Sequence, residues 1–237
     1  MEKKYSRSHI GEVHRTKESL GEYTLKIIDG GSKKGYCTIL IKGWTTEVQY
    51  TNIKAQNIRY PYHRSVCSIG FFGEGEYTSN SKSYGVWCSM LKRCYSEIHL
   101  KNSPTYKGVT VCKEWHNFQN FAKWFEENYV EGWHLDKDLL SADSKIYSPN
   151  TCIFIPQALN SFLSNTSNSS NTSGTIGVLL DKETNKWKAK IGRKTIGRYK
   201  NKKVAALMYK LARKKEANKW KKEMTGILPQ HAIESIK

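Results

Sequence analysis

Two carboxylates and an imidazole recur at alternate positions in one short segment of the chain. The segment reads Trp133-His-Leu-Asp-Lys-Asp-Leu-Leu140, a pattern that predicts a strand. Side chains two residues apart on a strand point the same way, so His134, Asp136 and Asp138 would share one face. Lys137 would lie on the other face. Such a set suits a hard divalent cation such as Mg²⁺, and an exposed, salt-bridged strand edge is the alternative that spacing leaves open.

This segment opens a strand–loop–strand–helix pattern. After a loop over 141–149, residues Thr151-Cys-Ile-Phe-Ile155 form a second predicted strand, and Pro156 opens a short helix that carries Asn160. In such a unit the first strand presents an acid and a base, and the helix adds a further ligand, so that one divalent cation polarises a phosphodiester. Upstream, large apolar side chains at helical spacing predict helices over about 83–98 and 114–129.

Changes in composition along the chain predict an α+β protein of several modules. Residues 1–75 hold three strand-like runs around short turns, which predicts a small N-terminal β module that could bind DNA. Residues 76–163 contain the helix-flanked unit described above. Residues 164–174 are nearly all Ser, Asn and Thr, which is typical of a flexible linker. Residues 175–224 predict three strands and a helix, and 225–237 form a tail.

The charge of the chain is concentrated near its end. The 237 residues carry a formal net charge of +18, and residues 171–237 hold 18 Lys and Arg against 5 Asp and Glu. Such asymmetry indicates a polyanionic partner, most simply nucleic acid, although a solubilising surface is the alternative. The apolar runs are far shorter than the ~20 residues of a membrane span, and no secretory signal is apparent. We therefore expect neither a membrane partner nor export, with reduced cysteines in a cytoplasm.

The central module resembles the bacteriophage endonucleases of the HNH, or ββα-metal, superfamily, including homing-endonuclease-like members. Over residues 84–163 the similarity is carried by four motifs and Asn160: Tyr84-Gly-Val-Trp-Cys-Ser-Met-Leu-Lys-Arg-Cys-Tyr95, Tyr106-Lys-Gly-Val-Thr-Val-Cys-Lys-Glu-Trp-His-Asn-Phe118, Leu135-Asp-Lys-Asp-Leu-Leu140 and Tyr147-Ser-Pro-Asn-Thr-Cys152. The resemblance implies a phage-encoded, Mg²⁺- or Mn²⁺-dependent DNA endonuclease in the cytoplasm of a bacterial host.

The family pattern has an Asp–His pair on the first strand, with the His as general base, and a late Asn or His on the helix as a metal ligand. Asp136 matches the Asp, and Asn160 matches the helix residue; with Asp138 they form the expected metal set. Lys137 stands where the family has its His, which is a departure from the pattern. Lysine acts as a base only if burial or neighbouring charge lowers its pKa.

The general base therefore has several candidates besides Lys137. His134 and Asp138 lie in the same segment, and His116 lies in the motif Trp115-His-Asn117. A nuclease without activity is the remaining interpretation of the missing His. Arg93 would neutralise a phosphate, or would be an ordinary charge on a helix surface.

The cysteines raise a separate metal hypothesis. Cys88, Cys94, Cys112 and Cys152 all fall in the central module, but no Cys-x-x-Cys pair exists and Cys112-x-x-x-His116 is the only compact pair. Since structural zinc needs four converging ligands, we expect buried, reduced thiols, with a structural Zn²⁺ as the alternative.

Residues 175–215 resemble the ethylene-response-factor type of DNA-binding domain, which also occurs in phage homing endonucleases. The similarity rests on Gly177-Val-Leu-Leu-Asp, Lys186-Trp-Lys-Ala-Lys-Ile191, Ile196-Gly-Arg-Tyr199 and Lys203-Val-Ala-Ala-Leu-Met-Tyr209. It implies a three-stranded sheet on one helix, with the sheet entering the major groove of double-stranded DNA. The implied contact residues are Trp187, Lys188, Lys190, Arg193 and Arg198. A plain sheet with one hydrated face is the alternative.

The helix predicted over 202–222 has an apolar side and an otherwise basic surface. The residues expected on the apolar side are Val204, Ala205, Leu207, Met208, Leu211 and Ala212.

Three functions follow from the sequence. The first is a metal-dependent DNA endonuclease with no small-molecule cofactor. The second is a non-catalytic DNA-binding regulator with a decayed nuclease module. The third is an RNA-binding protein that uses the N-terminal module. That module ends in a basic loop, Asn57-Ile-Arg-Tyr-Pro-Tyr-His-Arg64, which mixes Arg and Tyr as nucleic-acid-binding surfaces do; an ordinary solvated loop is the alternative.

Overall fold

The computed structural model describes residues 9–141, 144–164 and 173–237. Helices and several small sheets coexist, which confirms the predicted α+β class. The chain divides into two compact units where the sequence predicted three modules. Unit 1 runs to residue 107 and includes 111–123, whereas unit 2 comprises 108–110 and 124–237.

Unit 1 begins with a four-stranded antiparallel sheet in the order of the chain. Apolar residues at alternate positions of the strands form one buried face of this sheet. On that face Leu25, Ile27, Ile39 and Ile41 are fully buried. The first strand was not predicted, because its three residues carry no apolar alternation. The strands are β1 (Val13–Arg15), β2 (Thr24–Gly30), β3 (Tyr36–Ile41) and β4 (Trp44–Gln49).

The helical part of unit 1 packs around two tryptophans. Trp87 is buried, and its indole Nε1–H donates to the backbone oxygen of Trp115 over 2.7 Å. The helix predicted over 83–98 is interrupted at Ser96, where the backbone is extended. The Ser96 side chain accepts a hydrogen bond from the N–H of His99 and so caps a second helix. The helices are α1 (Tyr50–Lys54), α2 (Lys82–Tyr95), α3 (Glu97–Asn102) and α4 (Phe118–Asn128). Only residues 118–123 of α4 belong to this unit. Short 3-10 helices lie at Glu18–Leu20, Pro104–Tyr106 and Lys113–His116.

Unit 2 contains the predicted hairpin and helix. Strand β6 (Trp133–Asp136) pairs antiparallel with β8 (Ile153–Pro156), and α5 (Gln157–Leu163) follows β8 directly. The intervening loop includes the two-residue strand β7 (Ile146–Tyr147). Beside it, the amide of Thr110, in the short strand β5 (Thr110–Val111), donates to the oxygen of Lys145 over 2.7 Å.

The rest of unit 2 is a three-stranded antiparallel sheet followed by two helices. The central strand is the second in the chain. The elements are β9 (Val178–Asp181), β10 (Lys186–Ile191), β11 (Lys194–Tyr199), α6 (Lys202–Met224) and α7 (Gln230–Glu234). Val178 and Ala189 are buried on one face of the sheet against Ala205 and Tyr209 of α6. Gly177, at φ +73°, is required there because a Cβ would lie 2.1 Å from the Tyr209 ring.

The C-terminal half of α6 and all of α7 share a core with the hairpin and α5. Ala217, Met224 and Ile233 are buried together with Ile155 and Leu159. The segment predicted as a tail, 225–237, therefore contributes to the core instead of extending into solvent. Residues 165–172 of the predicted linker lie outside the described residues. The helix of the module that follows packs on the β6–β8–α5 unit, so the sheet and the hairpin belong to one unit. None of the helices described over 9–141, 144–164 and 173–237 is long and apolar enough to cross a membrane.

Candidate functional site

Asp136 is the last residue of β6, and its side chain accepts the hydrogen bonds that hold the turn after the strand. Its Oδ1 accepts hydrogen bonds from the backbone N–H groups of Asp138, over 3.0 Å, and Leu139, over 2.7 Å. The observed strand therefore ends at Asp136, four residues earlier than the strand predicted over 133–140. Asp138 lies in the bend, so the prediction that it shares a strand face with His134 and Asp136 is wrong.

The pKa of Asp136 is raised above its ordinary value, because burial disfavours the carboxylate. The two backbone hydrogen bonds oppose that shift. Both of them fall on Oδ1. The other oxygen, Oδ2, is therefore the one that could coordinate an ion, and binding a cation would lower the pKa of this carboxyl again.

Lys137 and Asp138 form an ion pair with each other. The Lys137 side chain is only 12% exposed, whereas that of Asp138 is 59% exposed. The two were predicted on opposite strand faces, but the bend after Asp136 brings them together. The ammonium of Lys137 is therefore already engaged by a carboxylate, and its position as general base has no support from a free, water-facing nitrogen.

The helix ligand predicted by the sequence lies on an element that adjoins β6. Helix α5 packs against both β6 and β8, with Leu159 and Phe162 buried. Asn160 is half-buried, and its Oδ1 accepts a hydrogen bond from the hydroxyl of Ser164 over 3.2 Å. An amide oxygen keeps a second lone pair for a further contact.

The candidate metal ligands are oxygens, the type that a hard cation prefers, but they are few in number. In the described ranges, no group of three or more His, Cys, Asp and Glu side chains is arranged to hold a metal. Asp136 Oδ2 and Asn160 Oδ1 are both oxygens, and Mg²⁺ is commonly held by one or two protein oxygens with water completing the shell. Asp138, the third predicted ligand, is occupied by Lys137.

The other candidate bases differ in position. His134 lies on β6 two residues before Asp136 and is exposed, whereas the intervening Leu135 is buried. The two polar side chains therefore share the outward face of the strand. His116 lies in unit 1, with its Nε2 3.1 Å from the backbone oxygen of Val111.

Arg93 does not share a unit with the hairpin. It lies on α2, and its Nε–H donates to the oxygen of Ser89 in the same helix over 3.3 Å.

None of the six cysteines, all of which are described by the structure, forms a disulfide bond. Cys88, Cys94 and Cys112 lie in unit 1, and Cys152 lies in unit 2. Burial raises the pKa of Cys112 to about 11, which keeps this thiol protonated at neutral pH. A zinc ligand must be a thiolate, so the surroundings of Cys112 favour a packed, apolar role.

The face of the C-terminal sheet opposite α6 is basic. Ala189 faces the helix, so Lys186, Lys188 and Lys190 on the same strand face away from it. Arg198 is the cross-strand partner of Lys188 and lies on the same outer face. We name these four side chains the outer basic face. Lys186 was not predicted as a contact residue, although the alternating Lys-x-Lys-x-Lys pattern was the signal for it.

Trp187 lies on the other side of the sheet from the outer basic face. It packs on the Val178–Ala189 cluster beneath α6, and the ammonium of Lys202 lies 5.5 Å from its ring centroid. The implied role of Trp187 in stacking on DNA does not agree with this position. Strand alternation separates it from Lys188, its neighbour in the chain.

The remaining implied contacts are an exposed turn residue and a paired cation. Arg193 lies exposed in the β10–β11 turn. The Nε–H of Arg198 donates to Oδ2 of Asp181 over 2.6 Å, and this contact lowers the pKa of Asp181 below its ordinary value. The Arg198 side chain is still 46% exposed, so its guanidinium has donors left for a phosphate or a base edge.

Comparison with protein-family models, curated proteins and solved structures found no match.

Proposed function

We propose that the protein is a metal-dependent endonuclease that captures double-stranded DNA on the outer basic face and hydrolyses it at the β6–β8–α5 unit. The observation that carries the proposal is that unit: two antiparallel strands followed at once by a helix, with a half-buried carboxylate at the end of the first strand. Asp136 retains one oxygen outside its two turn hydrogen bonds, which supports a role in binding an ion.

The outer basic face supports DNA as the partner. Lys186, Lys188 and Lys190 lie along one strand, about 7 Å apart at alternate positions, which is close to the spacing of phosphates along a DNA strand. Asp181, the acid on this side of the sheet, is neutralised by Arg198. A sheet with such a face can lie in the major groove, where cations reach phosphates and guanine edges.

Hydrolysis needs a base near the scissile phosphate, and the structure favours His134. Its imidazole is exposed on the face of β6 that also carries Asp136. Lys137 is held by Asp138 and His116 belongs to unit 1, so neither has the same support. His134 would take the proton of the attacking water, while Asp136 and Asn160 would hold the ion. A bound divalent cation supplies neutralisation of the charge that develops on the phosphate oxygens and the leaving 3′ oxygen.

A nicking assay on supercoiled plasmid tests the proposal. The full chain is incubated with Mg²⁺, Mn²⁺ or EDTA, and conversion to open-circular DNA is followed with time. Nicking in Mg²⁺ or Mn²⁺ but not in EDTA is expected for the wild type. Asp136→Asn should abolish it, and His134→Gln should slow it by about 10²–10⁴-fold, the usual contribution of a general base.

The control variant is Lys137→Gln, which removes the other candidate base. Because Lys137 is paired with Asp138, its loss should leave the rate within a few-fold of wild type. Loss of nicking in Lys137→Gln with full activity in His134→Gln would reverse the assignment of the base.

A DNA-binding regulator without nuclease activity is the second candidate. It is favoured by one observation: the ion pair of Lys137 and Asp138 occupies two of the side chains expected to perform the chemistry. Tight binding of duplex DNA with no nicking in any metal would establish it. Stronger binding of single-stranded RNA than of duplex DNA across a salt series would contradict both candidates.

A further inference from the structure

One flank of α6 carries three lysines in a line. Lys210, Lys214 and Lys221 are spaced by four and seven residues, so at 100° per residue they lie within about 40° of one another around the helix. They span about 16 Å along the axis. Since α6 covers the inner face of the sheet, this flank is separate from the outer basic face.

A cavity of about 360 Å³ opens along this flank. Five of its nine lining residues are Lys or Arg, and no acidic side chain of the described residues lines it. Ala217 of α6 and Ile236 also line the cavity, and both belong to the buried core of this unit. A concave site with apolar walls and five basic residues in its lining is suited to a phosphate group attached to a larger molecule.

Two of the cations are held in place by the fold. The guanidinium of Arg213 lies 4.4 Å from the centroid of the Phe162 ring and donates to the Phe162 oxygen over 3.2 Å. The ammonium of Lys221 donates to the oxygen of Glu234 over 3.3 Å. A guanidinium that is already oriented loses little side-chain entropy when it binds an anion.

The acidic side chains of α6 are on the opposite flank. Glu216 and Glu223 lie 3.9 Å and 3.7 Å from Lys219 and compensate its charge. At 100° per residue they point about 140–160° away from the middle of the three lysines. The acidic side chains of α6 therefore point away from the cavity.

We propose that the cavity formed by Lys210, Arg213, Lys214, Ala217 and Lys221 is a phosphate site that takes a backbone phosphate of nucleic acid, independently of the outer basic face. This inference rests on the proposed DNA-binding function only for the identity of the ligand. That the cavity binds an anion is argued from its own residues. The cavity and the outer basic face together give the C-terminal part of the chain two separate surfaces that bind a polyanion.

The experiment compares two triple variants of the full chain that remove the same charge from the same helix. Lys210→Gln/Lys214→Gln/Lys221→Gln alters the cavity, and Lys215→Gln/Lys219→Gln/Lys222→Gln alters the other side. Binding of a 20-base-pair duplex is measured by fluorescence anisotropy across a salt series. Loss of three phosphate contacts should lower the slope of log Kd against log salt by about 2–3 in the cavity variant, and by less than about 1 in the control.

A second arm uses tripolyphosphate alone in titration calorimetry. Binding that is lost in the cavity variant and kept in the control supports the phosphate site, even if the wild type does not bind DNA and the proposed function fails. Tripolyphosphate binding that is absent from the wild type, or equal in both variants, overturns the site. If tripolyphosphate binds at the cavity but the two DNA slopes are equal, nucleic acid is overturned as the source of the phosphate.

Discussion

Asp136 has two roles that can be separated by two substitutions. Its Oδ1 holds the turn after β6 through the N–H groups of Asp138 and Leu139, and its charge is proposed to bind the ion. Asp136→Ala removes both the acceptor and the charge. Asp136→Asn removes the charge but keeps an amide oxygen at the same place, so the pair distinguishes structure from chemistry.

The expected magnitudes follow from these contacts. Loss of the acceptor leaves two backbone N–H groups to a turn that is partly open to water, a cost of about 2 kcal/mol. For a chain of this size that corresponds to a fall in Tm of about 4–8 °C in Asp136→Ala. In Asp136→Asn, the weaker hydrogen bonds are offset by relief of the burial penalty that raises the carboxyl pKa. The Tm should therefore change by less than about 3 °C.

The pH dependence has a definite sign. A carboxyl whose folded-state pKa is raised favours folding most below its unfolded value, here 3.8, and loses that contribution as the pH rises through the folded-state pKa. The stability of Asp136→Asn relative to wild type should therefore increase from acid to neutral pH. Asp138, which raises the Asp136 pKa, and Lys137, which lowers it, are the charged neighbours in this bend.

The assay combines thermal unfolding with plasmid nicking on the same preparations. Both variants should lose metal-dependent nicking, while only Asp136→Ala should lose substantial stability. Wild-type stability in Asp136→Ala would refute the turn assignment. Wild-type nicking in Asp136→Asn would refute the proposed role of the charge.

The remaining predictions concern the C-terminal sheet. Trp187→Ala should lower the free energy of unfolding by about 1–3 kcal/mol while leaving the salt dependence of DNA binding unchanged, because Trp187 packs under α6. Lys188→Gln/Lys190→Gln should do the opposite: thermal unfolding stays within about 0.5 kcal/mol, and the anisotropy salt slope falls by about 2. Normal stability together with weaker DNA binding in Trp187→Ala would contradict both outcomes expected for that variant. The stability that Asp181 contributes through Arg198 is present above its ordinary pKa of 3.8 and is lost as the pH falls through the lowered folded-state value. Acid titrations of wild type and Asp181→Asn should therefore converge at low pH; parallel curves would argue against the ion pair.

Several elements were predictable because their signals are local. The sequence predicted the strand–strand–helix order around Asp136 and the three strands and helix after residue 175, with bounds within a few residues of those observed. Alternating and helical apolar spacing arises from the pitch of strand and helix themselves, so it is readable without knowledge of the partners.

The position of α6 shows what periodicity leaves open. Val204, Leu207 and Leu211 were expected on the packed side, yet they are 44%, 55% and 54% exposed. Of the expected residues, Ala205 does face the sheet, and it does so together with Tyr209, which was not predicted there. The helix has apolar residues on two opposite faces in this region, so spacing alone could not say which of them meets the sheet.

The basic character of the C-terminal part, the order of the elements and the acid in the first hairpin strand were readable from the chain alone, because composition and periodicity are properties of the chain. How these residues are grouped is a property of the folded structure. The turn at Asp136 pairs Lys137 with Asp138, alternation turns Trp187 away from the lysines, and residues 225–237 complete a core beneath α6. The turn depends on hydrogen bonds between neighbouring residues that composition and periodicity do not reveal. The side of the sheet that α6 covers and the core of residues 225–237 depend on packing between segments distant in the chain, which no local pattern encodes.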